Sequence, residues 1–416
     1  MNSVDFFVLR FLEIKPAYRS LILTLLAGLS SSTMVLAQLD NRAFTAGMPG
    51  AGRLGASLLG PAEAPAADGT PPTAGDLHLS LRAFTFFKDN EYFNSIADGY
   101  TLFGTQLNPQ LAYYPTANLR LEGGVFLWKD FGTPRLRQVR PTFRATYAKG
   151  PHEITLGNIR PHLNHGYIEP LLNFERVMLR PLEEGLQYRY RGSRLALLDV
   201  WVDWQRQQYR NSSFQEEIAG GLSATVRLTP EGSPLLLTLP VQFTATHRGG
   251  QIDTVDQPLQ TYFNGATGLE ARYQLPNSQT ALRLQAYGVG FYDKSFTYEL
   301  PYKRGTGLYL NATAETRFLN VMLSYWQGQR FLSPLGGDLY QAASRTVSNP
   351  GYVEPHRRLL FLRLLRDFSL GDAAALTVRA EPVYDFQQKT TDFSFGVYLN
   401  FRQQWLLGNV GGRVRK

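Results

Sequence analysis

From Leu77 onward the chain alternates apolar and polar residues with a period of two, as extended strands do when successive side chains point to opposite faces. Thr391–Trp405 shows this most clearly. Phe393, Phe395, Val397, Leu399 and Phe401 share one parity, and Ser394, Gly396, Tyr398, Asn400 and Arg402 share the other. Leu77–Phe87 sets Leu77, Leu79, Leu81 and Ala83 against His78, Ser80 and Arg82, and Asn118–Trp128 repeats the arrangement. Sixteen strands are expected in all. The others lie near Thr101–Tyr114, Arg137–Ala148, Glu153–Ile159, Gly185–Arg191, Arg194–Trp204, Gln215–Leu228, Leu235–His247 and Asn264–Gln274. Ser278–Gly290, Gly307–Arg317, Leu319–Trp326, Arg357–Phe368 and Ala374–Phe386 complete the set.

The connections alternate in length. Gly-, Pro-, Asn- and Ser-rich turns follow even-numbered strands, because those residues supply the backbone angles of tight reversals. Long connections follow most odd-numbered strands, at 88–100, 129–136, 160–184, 205–214, 248–263, 291–306 and 327–356; only the last, near Gln387-Gln388-Lys389, is short. Short turns on one rim and long loops on the other predict an all-β fold: a transmembrane antiparallel up-and-down barrel of about sixteen strands over residues 76–405. A soluble sandwich would need no such alternation of loops. A propeller would repeat every 40–50 residues or so, and no such repeat is present.

Residues 1–37 place Lys15 and Arg19 before the apolar run Leu21–Leu29, followed by serines and the small-residue ending Val35-Leu36-Ala37. That order predicts a cleavable signal peptide. The run is too short to cross roughly 30 Å of hydrocarbon as a helix. Residues 38–75, rich in Ala, Gly and Pro, are expected to be a flexible leader, and 406–416 a C-terminal tail. Net charge is +8, about +7 once the signal segment is removed. On an exported chain this suits anionic lipopolysaccharide or an anion-favouring pore, and no nucleic acid is expected as a partner. The absence of cysteine excludes disulfides and thiolate chemistry.

The signal segment, the alternating strands and the aromatic closing strand resemble Gram-negative outer-membrane β-barrel proteins, with porin-like barrels of sixteen strands nearest in shape. The resemblance implies outer-membrane lipid and lipopolysaccharide as surroundings, the barrel-assembly machinery as a partner, and small solutes as cargo. In that group the last strand usually ends the chain on an aromatic residue, whereas eleven residues follow Trp405 here.

Parity assigns Arg82, Arg120, Glu122, Arg144, Arg189, Asp199, Asp203, Arg227, Glu270, Arg272, Arg283, Glu315, Arg317, Arg379, Glu381 and Arg402 to the interior as pore-lining residues. A charge on the lipid face costs roughly 2–4 kcal/mol at the membrane midplane, so outward placement of them all is excluded. They either line a water-filled lumen that favours anions or pair off and brace a filled one.

Connection 160–184 is partly apolar, holds two of the six histidines, and occupies the place of the loop that folds into porin barrels. It is expected to form a constriction carrying Arg160, His162, Asn164, His165, Glu169, Glu175 and Arg176. The alternative is a cap over the mouth. His162, His165 and Glu169 fit no common zinc spacing, so no metal and no cofactor is expected. Gly-x-Ser-x-Gly and phosphate-loop patterns are absent, so the chain is not expected to be an enzyme. The longest connection, 327–355, is polar and punctuated by Gly and Pro, and is expected to lie exposed. The predicted function is a passive or weakly selective pore for small polar or anionic solutes. The competing possibility is a closed structural or assembly-partner barrel without transport.

Overall fold

A computed structural model describes residues 72–410 apart from Thr254, Asn277 and Asp372. The signal segment, nearly all of the leader and the end of the C-terminal tail lie outside the described residues. The sixteen strands are β1 (Asp76–Glu91), β2 (Tyr100–Thr116), β3 (Leu119–Asp130), β4 (Gln138–Lys149), β5 (His152–Asn158), β6 (Glu184–Tyr190), β7 (Leu195–Arg206) and β8 (Glu217–Arg227), then β9 (Leu235–Arg248), β10 (Gln260–Gln274), β11 (Ala281–Asp293), β12 (Arg304–Glu315), β13 (Asn320–Gln329), β14 (His356–Ser369), β15 (Ala374–Asp385) and β16 (Thr390–Asn409). Each pairs antiparallel with its chain neighbours, and β1 pairs with β16, so the sheet closes and no edge remains unpaired. The closing strand runs past Trp405 to Asn409, where its pairing with β1 ends at Asp76.

One parity of every strand faces outward. Leu107, Leu111, Phe143, Leu156, Leu186, Leu269, Leu284 and Leu323 lie on it, all well exposed. A water-soluble monomer does not carry an apolar belt around its whole circumference. A hydrocarbon exterior explains it, and the fold is a transmembrane barrel.

The opposite parity carries the charges. Fifteen of the sixteen residues assigned inward lie on inward-facing strand positions. Arg317 is the exception. β12 ends at Glu315, so Arg317 falls in the turn to β13, exposed, with its guanidinium 4.4 Å from the Phe318 ring centroid. The parity count there ran two residues past the end of the strand.

Two connections pack inside the wall. Segment 159–183 contains a 3₁₀ turn at His162–His165 and one helical turn, α1 (Arg176–Leu179). Its Phe174 and Met178 pack against inward-facing Phe84, Phe86, Phe126, Trp128 and Tyr398. The Gln106 amide donates to the Met178 carbonyl at 3.1 Å, and from the opposite wall Gln242 accepts from the Ile168 amide at 3.0 Å. Gly157, just before the segment, has φ +94°, and a Cβ there would lie 2.3 Å from the Phe143 carbonyl oxygen. Only glycine lets the chain leave β5 in this direction.

The second connection, 330–355, departs from the exposed loop expected for it. Phe331, Leu332, Leu339 and Tyr340 are buried, packed on inward-facing Tyr309, Trp326, Leu359 and Phe361 and on Leu171 of the first segment. The ion pair of Arg357 with Glu354 and Asp385 (2.9 and 2.8 Å) holds its far end. Its Gly and Pro residues shape internal turns, which composition alone does not distinguish from surface turns. The lumen is therefore partly an apolar core rather than a uniformly polar channel.

Candidate functional site

The inward charges gather into separate groups. Near the loop rim, Glu169 receives Arg379 at 2.8 Å and also Arg363, while Glu381 pairs with both arginines. The Tyr340 hydroxyl donates to Glu169 at 2.8 Å, so the two inserted segments meet the wall at one carboxylate. The segment residue Glu169 is held below the usual carboxyl range because Arg363 and Arg379 outweigh its burial.

A second group is fully enclosed. His162 and His165 converge on Glu183, each at 2.8 Å, and the other ring nitrogen of His165 lies 3.3 Å from Asp199. The His165 ring stacks on Trp201 with centroids 4.4 Å apart. Glu169 lies in the first group and does not join the two histidines; the carboxylate between them is Glu183. Glu183 lies one residue before β6, and its spacing from the histidines follows no recognised motif. Burial alone would push His165 down, but Asp199 and Glu183 outweigh it and hold its pKa up at about 9. For His162 burial prevails over Glu183 and pushes it down. A histidine raised above its ordinary 6.5 stabilises the fold fully below that value and loses the contribution as pH rises through about 9. The stability advantage of wild type over His165→Gln should therefore be on the order of 3 kcal/mol at pH 6 and vanish by about pH 10. Thermal unfolding in detergent across that range measures it; a pH-independent difference would contradict the assignment.

The third group borders a cavity. At the loop rim a cavity of about 60 Å³ lies between the two inserted segments and the wall of β1, β14, β15 and β16. Lys88, Tyr92, Phe174, Arg363, Arg379 and Ser394 are among the residues lining it. Strand register creates its chemistry. Asn90 is the cross-strand partner of Ser394, which brings Lys88, two residues earlier on the same face, against Ser394. Lys88 Nζ lies 2.6 Å from Ser394 Oγ and 3.4 Å from Glu175 Oε1, and all three side chains are buried. Glu175 also accepts from Asn90 Nδ2 at 2.9 Å and from the Tyr100 hydroxyl. Lys88 Nζ thus donates to a hydroxyl and faces a carboxylate beside a cavity; with the lysine neutral, the same file is a nucleophile with a base beside it.

Two histidine–hydroxyl pairs lie elsewhere: His247 with Thr261 at 2.9 Å and His152 with Tyr188 at 2.8 Å. Both are exposed, and among the described residues no carboxylate hydrogen-bonds either ring to orient it. They lack the third member of a catalytic file.

A sequence model of the Lipid A 3'-O-deacylase-type family matches residues 67–410, the whole barrel. The chain belongs to that family. The match corrects the expectation that the chain is not an enzyme, because the family is, by its description, one of enzymes that remove an O-linked acyl group. Comparison with curated proteins finds no match. Solved structures similar to the barrel include OmpT of Vibrio cholerae with loop L8 deleted (11% identity, 80% of this chain and 100% of that one, TM-score 0.44). OccAB4 of Acinetobacter baumannii (8% identity, 81% and 100%, TM-score 0.44) and OprD of Pseudomonas aeruginosa (10% identity, 80% and 94%, TM-score 0.44) are others. With its closed antiparallel wall and apolar exterior, this member of the family is a porin-like outer-membrane barrel.

Most of the expected constriction residues are near none of this chemistry. Arg160 pairs with Glu153 at 2.8 Å, Asn164 donates to the Pro161 carbonyl within its own turn, and Arg176 approaches Glu183 at 3.9 Å. Glu175 alone reaches the Lys88–Ser394 pair. Lys88 was hidden because it fell in an expected loop, 88–100, when β1 in fact continues to Glu91.

Proposed function

We propose that the chain hydrolyses an acyl ester of a lipid A-like glycolipid at the outer face of the membrane, with Ser394 as nucleophile. The observation that carries this reading is the 2.6 Å contact of Lys88 Nζ with Ser394 Oγ beside the rim cavity. Family membership supports the reaction class, and the lining supports the substrate class. The lining sets charged groups, Lys88, Arg363 and Arg379 with Glu169, Glu175 and Glu381, beside apolar Phe174, Phe361 and Val383, which suits an amphiphile.

In this reading Lys88 acts as the neutral amine, its ammonium proton having passed to solvent, and Glu175 holds Nζ beside Ser394. Nζ then takes the Ser394 proton as Oγ attacks the ester carbonyl carbon. Collapse of the tetrahedral adduct breaks the bond to the sugar oxygen, which leaves as an alcohol carrying the proton from Lys88. Water attacks the acyl-serine, Lys88 again taking and returning a proton, and a free fatty acid departs. Incubation of the folded barrel with vesicles containing lipid A, followed by mass spectrometry, tests this. Loss of one acyl chain with release of the matching fatty acid is expected; intact lipid A after extended incubation overturns it.

A second reading, diffusion of small polar or anionic solutes narrowed by segment 160–184, is favoured by strand number. Barrels of sixteen strands enclose a lumen wide enough for water. Planar-bilayer conductance distinguishes the two: the hydrolase reading expects little current from the wild-type barrel.

A further inference from the structure

The lipid-facing wall is not uniformly convex. Across β10, β11 and β12 the register sets Ala271 opposite Leu284, Leu284 opposite Ala312, and Ala286 between Leu269 and Leu310. All six belong to the outward-facing parity. Alanines at the low points and leucines around them leave a hollow of about 490 Å³ that extends sideways over β9, β13 and β14. Glu270, Gln285 and Asn311 also border it, but they belong to the inward-facing parity, where Glu270 meets Arg283 at 3.4 Å. Two arginines stand at the short-turn rim, the periplasmic side of such a barrel, next to this stretch of wall. Arg317 is exposed in the turn between β12 and β13, its guanidinium 4.4 Å from the Phe318 ring centroid. Arg366 has the outward parity of β14, between inward-facing Leu365 and Asp367, with its guanidinium 4.6 Å from the Phe368 ring centroid. Asn320 pairs with Leu365, so Arg366 falls level with the turn that carries Arg317. Among the described residues neither guanidinium pairs with a carboxylate.

A convex wall touches a lipid chain along one side only, whereas a hollow surrounds it and multiplies the dispersion contacts. The stretch from Ala312 to Arg317 covers about 17 Å of chain, or roughly 13 Å of depth at the tilt of barrel strands. One leaflet supplies about 15 Å of hydrocarbon, so a single lipid can reach from the arginines into the hollow. An outward arginine at the hydrocarbon edge calls for a counter-charge, and a phosphate diester accepts from both guanidinium groups. We infer that this face binds one anionic glycerophospholipid of the periplasmic leaflet, its phosphate between Arg317 and Arg366 and one acyl chain in the hollow. The site lies on the outside of the wall, away from the rim cavity, and does not depend on the hydrolase reading.

The test is native mass spectrometry of the full-length barrel, released from detergent micelles that hold phosphatidylglycerol or phosphatidylcholine with matched acyl chains. The wild-type barrel should retain one phosphatidylglycerol and prefer it over phosphatidylcholine by roughly tenfold or more, since two surface arginines act on the anionic headgroup. The double variant Arg317→Gln/Arg366→Gln should lose that preference. Ala286→Phe, which fills the hollow, should lose most retention of either lipid. None of the three side chains packs in the lumen, so each variant should fold, which heat-modifiable migration checks. Equal retention of the two lipids by wild type, an undiminished preference in the double variant, or unchanged retention in Ala286→Phe would overturn the site. So would a dimer mass in place of the lipid adduct, which would show a second copy covering this face.

Discussion

Ser394→Ala should lower fatty-acid release from lipid A by about 10³-fold or more, with the barrel still folded. In the proposed mechanism the hydroxyl forms and breaks the acyl bond, and nothing at that position replaces it. Its structural part is small. Lys88 keeps its contact with Glu175 at 3.4 Å when Ser394 is truncated, so the stability cost is that of one hydrogen bond, roughly 1 kcal/mol. Lys88→Met should produce a comparable loss of rate, because a nucleophile and its base act as one unit. Glu175→Gln should cost less, since it removes the carboxylate that positions Nζ but leaves the amine in place. Rates for the three variants, each checked for heat-modifiable migration, measure this. Full activity in Ser394→Ala would remove Ser394 from the chemistry.

Glu169→Ala should have the second large effect, on both stability and conductance. This carboxylate ties Arg363, Arg379 and Tyr340 together and joins both inserted segments to the wall. Removing one partner of an enclosed ion-pair network leaves charge uncompensated, at a cost of about 3–5 kcal/mol. Glu381 still contacts both arginines, which places the expected value toward the lower end. With the anchor gone, segments 159–183 and 330–355 lose their common attachment, and single-channel current should rise several-fold over wild type. The barrel wall itself should persist, because its strand pairing does not pass through Glu169. Unchanged current together with unchanged stability would show that the segments are held by their apolar contacts alone.

The wall was legible in the sequence because lipid on one side and polar groups on the other impose a strict alternation. Each of the sixteen strands was expected within a few residues of its observed place. Alternation failed where the interior is apolar. β14 presents Leu359, Phe361 and Leu365 inward as well as apolar residues outward, so Arg363, central to the Glu169 network, carried no parity signal. The same reason hid the insertion of segment 330–355, whose buried Phe331, Leu335 and Leu339 are spaced by polar and turn residues. The candidate site was the least legible. Lys88, Glu175 and Ser394 come from the first strand, a mid-chain connection and the last strand, and only closure of the barrel brings them together. Sequence spacing cannot encode a contact of that kind.

Covalent labelling with a long-chain alkyl fluorophosphonate, read by peptide mass spectrometry, addresses Ser394 most directly. Such a reagent phosphonylates a serine that a neighbouring base has activated and leaves ordinary serines untouched. One adduct per folded barrel is expected, on the peptide containing Ser394, blocked by prior incubation with lipid A and absent in Lys88→Met. No adduct on the folded protein, or an adduct on a different residue, would contradict the assignment of the rim cavity as the active site.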